Sequence, residues 1–80
     1  MTPRVTFIRT DADNWRRETN CDVPSIGDTV RMINNYSEME ILAFTVIAVQ
    51  RDFIDVAWGE NSGNLLRHDT VVTLKPIKIN

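Results

Sequence analysis

Residues Ile41–Trp58 read ILAFTVIAVQRDFIDVAW, which is the densest run of apolar and β-branched side chains in the sequence. Such residues favour extended strands because they pack well on a pleated surface. The polar residues Gln50, Arg51 and Asp52 interrupt the run near its middle. The sequence therefore predicts two strands joined by a tight turn at these residues, and the other segments are expected to close a sheet over that hairpin.

The first predicted strand is apolar on both of its faces. Side chains alternate across a strand, which places on one face Leu42, Phe44, Val46 and Ala48. The other face then carries Ile41, Ala43, Thr45, Ile47 and Val49. A strand of this kind is typical of a sheet centre that is covered on both sides. In the second strand, the uncharged set predicted to face the core is Ile54, Val56 and Trp58.

A helix is the competing interpretation of the first half of this stretch. Residues Ser37–Glu40 fit the capping-box pattern of a helix start, and helical spacing relates Met39, Leu42, Ala43, Val46 and Ile47. A strand is favoured because β-branched side chains crowd the preceding turn of a helix. One helical turn at Ser37–Glu40 followed by a strand would satisfy both patterns.

Size and composition indicate one small folded domain. The chain has 80 residues, of which 42% are hydrophobic and 25% charged, as in folded proteins and unlike disordered ones. No apolar run is long enough for a transmembrane helix, so no membrane association is expected. Met1–Arg4 leads directly into a strand-like segment, which argues against a signal peptide. The single cysteine, Cys21, cannot form an internal disulfide, and a cytoplasmic location is predicted.

The N-terminal part divides into a strand and a less regular segment. Arg4–Thr10 reads as a strand, and Asp11–Pro24 reads as an irregular arm with a short helical turn at Asn14–Glu18 as one option. Trp15 is expected to pin this arm to the domain, because tryptophan buries a large apolar area. The domain is thus predicted to be a single unit over residues 1–80, with a strand and arm at 1–23 and a barrel core at 26–77.

Turn residues separate the remaining predicted strands. Pro24–Asp28 is predicted to be a turn, and Thr29–Ile33 a strand whose inward residues are Val30 and Met32. Thr70–Leu74 is predicted to be the last full strand, with Val72 and Leu74 on one face. Five to six short strands separated by turns are typical of small barrels and sandwiches. We therefore predict an all-β, SH3-like, partly open barrel of antiparallel strands, with room for one short helical turn.

Four short motifs resemble those of small bacterial SH3-like barrel proteins, most closely the YodC-like family. They are Gly27–Met32 (GDTVRM), Phe44–Val46 (FTV), Val56–Trp58 (VAW) and Leu74–Pro76 (LKP), within a match that spans Ile26–Pro76. The lysine-serine-glycine-glycine-proline segment of that family is replaced here by Asn34–Glu40. The resemblance implies the barrel fold, and the family has no defined activity to carry over.

Catalytic constellations are not recognisable in the sequence. Catalysis needs convergent groups such as a nucleophile with a base, and the chain has one histidine and one cysteine. Cys21 and His68 could in principle form a thiolate pair, but a loop cysteine and a surface histidine are the simpler interpretation. His68 and Asp69 are likewise expected to form a turn. We therefore expect no enzyme, no cofactor and no metal site.

Binding is the better hypothesis, and the candidate residues are aromatic side chains and arginines: Trp15, Arg16, Arg17, Arg31, Tyr36, Trp58 and Arg67, with Arg51 as a further charge. Each aromatic could instead pack in the core, and each arginine could lie on a solvated surface. The first hypothesis is a protein-interaction module, such as an adaptor or inhibitor. Self-association through an edge strand near Ile77 is a variant of it.

The second hypothesis is a nucleic-acid-binding barrel that uses Trp15, Arg16 and Arg17 together with Arg31 or Arg67. Small barrels often bind nucleic acids, which is an argument from the fold alone. The nine basic and eleven acidic residues give a formal net charge of −2. Because phosphate neutralisation supplies much of nucleic-acid affinity, this balance favours the protein-interaction hypothesis.

Overall fold

The computed structural model describes residues 3–34, 40–55 and 66–77. The regular secondary structure in these ranges consists of five strands and no helix. The strands are β1 (Arg4–Arg9), β2 (Ala12–Asn20), β3 (Thr29–Asn34), β4 (Glu40–Asp55) and β5 (Leu66–Pro76). They form one five-stranded sheet in the order β2-β1-β5-β4-β3, which curls into a half-barrel. The predicted all-β, partly open barrel is confirmed.

One of the strand pairings is parallel, so the prediction of antiparallel strands throughout is wrong in this respect. β1 pairs with β5 in parallel from Val5–Thr70 to Arg9–Leu74. The pairings of β1 with β2, β3 with β4 and β4 with β5 are antiparallel. Parallel neighbours need a long connection between them. That connection includes β2, β3 and β4. Because the two strands are so far apart in the sequence, no short sequence motif predicts the pairing of β1 with β5.

The core lies on the concave side of the curled sheet, which we call the inner face; the opposite side is the outer face. The buried apolar side chains of the core are Val5, Phe7, Phe44, Val46, Val72 and Leu74. The predicted inward pair on β5, Val72 and Leu74, is fully buried. The predicted inward pair on β3, Val30 and Met32, packs against the same cluster. Both predictions are confirmed.

The predicted hairpin within Ile41–Trp58 is wrong, because β4 is one strand of 16 residues, Glu40–Asp55. The three residues expected to turn are paired with β5: Gln50 with Val71, Arg51 with Thr70 and Asp52 with Asp69. Pairing along a neighbouring strand therefore outweighs their local preference for a turn. The helical alternative is also wrong for residues 40–49, while Ser37–Met39 lie outside the described residues.

A bulge divides β4 and changes which side chains face inward. The register with β5 shifts between Val46 and Ala48, so the inner-face series continues with Val49 instead of Ala48. Ile47 remains 43% exposed and Ala48 is also exposed. The prediction that this strand is covered by other parts of the protein on both of its faces is therefore wrong. Ile54, predicted to be in the core, is 37% exposed on the outer face, and Val56 and Trp58 lie outside the described residues.

The predicted irregular arm is instead a regular strand. β2 pairs with β1 from Arg4–Asn20 to Ile8–Arg16, so a helical turn at Asn14–Glu18 is excluded. β2 forms one edge of the sheet, and most of its side chains are exposed. A polar, charged strand is typical of such an edge because charges discourage pairing with other chains.

The segment between β2 and β3 crosses from one edge of the sheet to the other. Cys21 and Val23 in this segment pack against the core cluster. The predicted turn at Pro24–Asp28 is confirmed: the Ser25 amide donates to Oδ2 of Asp28 at 2.8 Å. Gly27 has a φ of 95°, and its amide donates to the Val46 carbonyl at 2.8 Å. The turn thereby fixes the end of β3 beside the bulge in β4.

The far ends of β4 and β5 extend beyond the other strands as a two-stranded ribbon. The β1 pairing with β5 starts at Thr70, and the β3 pairing with β4 ends at Thr45, whereas β4 and β5 remain paired out to Asp55 and Leu66. The radius of gyration is 15.9 Å, above the value of about 12 Å expected for a compact chain of this length. The ranges described contain no helix able to cross a lipid bilayer.

Candidate functional site

In the part of the chain that the structure describes, one edge of β4 is open over the second half of the strand. Beyond the bulge, Ala48–Asp55 is paired with β5 on one side. On the other side, β3 reaches only to Thr45, and the last backbone bonds join Val46 to Gly27 and Asp28. Within residues 3–34, 40–55 and 66–77, no strand pairs with this side of Ile47–Asp55. Such an edge presents backbone donors and acceptors that can pair with another chain.

Apolar side chains accompany this open edge on both faces of the sheet. Phe53 is 62% exposed and Ile54 is 37% exposed. Phe53 lies opposite His68 of β5, and the two rings stack with centroids 4.7 Å apart and planes 6° from parallel. Because the stack supports the phenyl ring from one side, Phe53 is held in place while most of its surface faces solvent.

Two opposite charges sit next to these apolar residues. Arg51 lies opposite Thr70 on the inner face, and Asp52 lies opposite Asp69 on the outer face. Nε2 of Gln50 donates to Oδ1 of Asp52 at 2.8 Å. Arg51 is exposed and Asp52 is half-buried. The edge therefore offers a cation towards one face and an anion towards the other, followed by two exposed apolar side chains.

A groove of about 410 Å³ lies on the outer face, where it is lined by residues of β2, β1, β5 and β4, on the side of β4 away from the open edge. Its charged lining residues are Arg4, Arg16, Glu18, Asp52, Arg67 and Asp69. Arg4 donates to Glu18, a contact that raises the pKa of the Arg4 guanidinium. Nη2 of Arg67 lies 3.3 Å from Oδ2 of Asp69. These pairs balance charges within the groove, so it does not have the one-sided charge of a phosphate-binding cleft.

Trp15 is half-buried and packs within the half-barrel. Its ring centroid lies 6.1 Å from that of Phe44, and the guanidinium carbons of Arg9 and Arg17 lie 5.4 Å and 4.9 Å from its ring centroid. The predicted packing role of Trp15 is confirmed, although the residue belongs to β2 and not to an irregular arm. Arginine contacts of this kind favour the arrangement further, and they place two guanidinium groups against the ring.

The predicted arginines do not form a single patch. Arg16 and Arg67 line the outer-face groove, whereas Arg17 lies over Trp15 on the inner face. Arg31 is exposed on β3, at the edge of the sheet opposite to β2. Tyr36 and Trp58, the other predicted binding residues, lie outside the described residues.

The two residues considered as a thiolate pair have other neighbours. Cys21 packs against the core cluster. His68 stacks on Phe53, and its Nε2 lies 3.4 Å from Oγ1 of Thr70. In the ranges that the structure describes, no group of three histidine, cysteine or acidic side chains is arranged to hold a metal ion.

The open edge was not predicted from the sequence, because Gln50–Asp52 were assigned to a turn and Ile54 was assigned to the core. A usable signal was present: Gln50, Arg51 and Asp52 include neither glycine nor proline, which are the residues that most strongly mark tight turns. Comparison with protein families, with curated proteins and with solved structures gives no match to this chain. The resemblance to the YodC-like family therefore stays a prediction.

Proposed function

We propose that this protein is a non-enzymatic interaction module that binds an extended segment of a partner protein by strand addition to β4. The observation that carries the proposal is the open edge: in the described part of the chain, Ala48–Asp55 pairs with β5 alone. Strand addition supplies affinity through main-chain hydrogen bonds, and alternate side chains supply specificity. The exposed side chains of Phe53 and Ile54 provide apolar surface for such a contact.

The geometry also lowers the cost of binding. β4 is already held in an extended conformation by its pairing with β5, and Phe53 is supported by the His68 ring. A preorganised edge loses little conformational entropy when a partner strand docks. Burial of an anchored aromatic ring is also the type of contact that dominates many protein interfaces.

The nucleic-acid alternative has weaker support. Trp15 is covered by arginine and phenylalanine contacts, and Arg16 and Arg17 belong to different faces of β2. Self-association at a strand edge near Ile77 is also weakly supported, because β5 lies between β1 and β4 in the sheet. Ile77 itself donates its amide to the Ala43 carbonyl at 2.9 Å.

The proposal can be tested with fluorescein-labelled peptides of about nine residues, a length that matches typical strands. A positional-scanning library identifies the tightest binder by fluorescence anisotropy. That peptide is then made in two N-methylated forms, each blocking one alternate set of amides. Only one set faces the protein in a paired strand, so one form should lose binding and the other should keep it.

The site of binding is checked by amide chemical-shift perturbation, which should be largest within residues 47–55. Replacing Phe53→Ser should weaken binding, whereas the control Ile26→Ser should not, because Ile26 is also exposed (69%) but belongs to the turn before β3. Absence of binding by every peptide would contradict the proposal, as would equal binding of the two N-methylated forms.

A further inference from the structure

We infer that the open edge of β4 selects an antiparallel partner strand with four consecutive residues of the order apolar, apolar, basic, acidic. These residues would lie opposite Ile54, Phe53, Asp52 and Arg51, respectively. The inference rests on the proposed strand addition and names the chemistry of its partner. Antiparallel pairing is chosen because it is the more stable arrangement per residue.

The side-chain order follows from the faces of the sheet. Arg51 and Phe53 lie opposite Thr70 and His68 on the inner face, whereas Asp52 and Ile54 belong to the outer face. Directly opposite residues in an antiparallel pair share a face. On the inner face, the matching strand therefore places an acidic residue opposite Arg51 and an apolar residue opposite Phe53. On the outer face, it places a basic residue opposite Asp52 and an apolar residue opposite Ile54.

The charge of Asp52 is the feature of this edge that most favours a basic residue on the partner strand. Across β5 it faces another carboxylate, Asp69, and like charges directly opposite each other are unfavourable. The Asp69 carboxylate lies 3.3 Å from the Arg67 guanidinium, whereas Asp52 accepts a hydrogen bond from the neutral amide of Gln50. A cation on the open side of Asp52 would balance its charge.

A second copy of the chain is a poorer occupant. A symmetric antiparallel pairing must be centred on one residue, since the two copies have to keep matching faces. Centring it on Arg51 or Asp52 places two identical charges opposite each other. Centring it on Gln50 or Phe53 places Asp52 opposite Ala48 or Ile54, respectively. Asp52 therefore faces no cation in any register centred within residues 50–53, so the charge pattern favours a different chain.

Two synthetic peptides test the inference on the unmodified protein. The matched peptide has the central order valine, phenylalanine, lysine, glutamate between flanking threonines, and the control exchanges the lysine and the glutamate. Anisotropy titration at low salt should show the matched peptide binding about tenfold more tightly, because two cross-strand charge pairs change from attraction to repulsion. The difference should shrink at high salt.

The double substitution Arg51→Asp with Asp52→Arg should reverse the preference, and its circular dichroism spectrum reports whether the fold is retained. Equal binding of both peptides, with the alternate N-methyl pattern intact, would overturn the charge selectivity and leave strand addition standing. If neither peptide binds and the positional-scanning library also yields no binder, both the charge selectivity and the strand addition are contradicted. Concentration-dependent dimerisation that the matched peptide does not disrupt would overturn the inference in favour of a second copy.

Discussion

The rings of Trp15 and Phe44 lie 6.1 Å apart, centroid to centroid, although two other strands separate β2 from β4 in the sheet. In a flat sheet the strands that carry them would be about 14 Å apart, given a spacing of about 4.8 Å between neighbours. The guanidinium carbon of Arg9 lies 5.4 Å from the Trp15 centroid and 5.1 Å from the Phe44 centroid. The sheet therefore curls until side chains from non-neighbouring strands meet.

Because Trp15 closes this curl, Trp15→Ala should lower the free energy of unfolding by about 2 kcal/mol, below the usual cost for a fully buried aromatic residue. Urea unfolding followed by circular dichroism measures the change. The matched variant Trp15→Phe keeps a ring and should lose about half as much. A loss for Trp15→Ala within the error of the measurement would show that the contact does not hold the half-barrel closed.

Gly27→Ala should destabilise the protein through the backbone and not through a clash. Gly27 has a φ of +95°, and among the described residues other than its two chain neighbours no heavy atom lies within 4 Å of the position that an added Cβ would take. The expected loss is about 1 kcal/mol, the usual cost of a positive φ for alanine. Gly27→Asn should lose less because asparagine tolerates positive φ better. Equal losses in thermal unfolding would contradict this explanation.

The Arg9–Asp11 pair should make a pH-dependent contribution to stability. Nε and Nη2 of Arg9 donate to the two carboxylate oxygens of Asp11 at 2.8 Å and 2.7 Å, and these bonds lower the pKa of Asp11 below its usual 3.8. A lowered pKa means that the contribution is present above the unfolded value and is lost as pH falls through the folded value.

NMR titration of the Asp11 carboxyl should therefore give a low pKa in the wild type and a value nearer 3.8 in Arg9→Gln. The variant Asp11→Asn should lack this component of acid destabilisation while keeping the fold at neutral pH. An unchanged pKa of Asp11 in Arg9→Gln would show that the bidentate contact is not formed in solution.

Phe44 and Phe53 belong to the same strand and should respond very differently to truncation. Phe44 is 1% exposed and Phe53 is 62% exposed. Phe44→Ala is expected to cost about 3 kcal/mol of unfolding free energy, whereas Phe53→Ala should cost less than about 0.5 kcal/mol. Similar losses in parallel urea titrations would mean that the ribbon end of β4 is packed, and the proposed binding edge would then be covered.

Alternation of apolar residues was sufficient to predict the inward faces of β3 and β5, because each strand keeps one register along its core residues. It failed on β4, where Gln50–Asp52 reads as a turn by residue type but is held in the sheet by β5. It failed on β2 because an edge strand of charged residues has no apolar period. In both strands the conformation is set by hydrogen bonding to a strand that is distant in the sequence. A local sequence pattern carries no information about such a distant partner.

The candidate site was less predictable than the fold. The position of Phe53 depends on the bulge between Val46 and Ala48, and no residue in that stretch is a glycine that would mark a bulge. Trp15 was expected to pack and does so. The arginines were predicted as a group, but alternation along β2 alone sends Arg16 and Arg17 to opposite faces.

The parallel contact between β1 and β5 joins two strands that are distant in the sequence, from Val5–Thr70 to Arg9–Leu74. During synthesis on the ribosome, β1 therefore has no central neighbour until β5 has been made. Pairing between such distant segments is expected to slow folding. It also means that removal of β5 would separate β1 and β2 from the rest of the sheet.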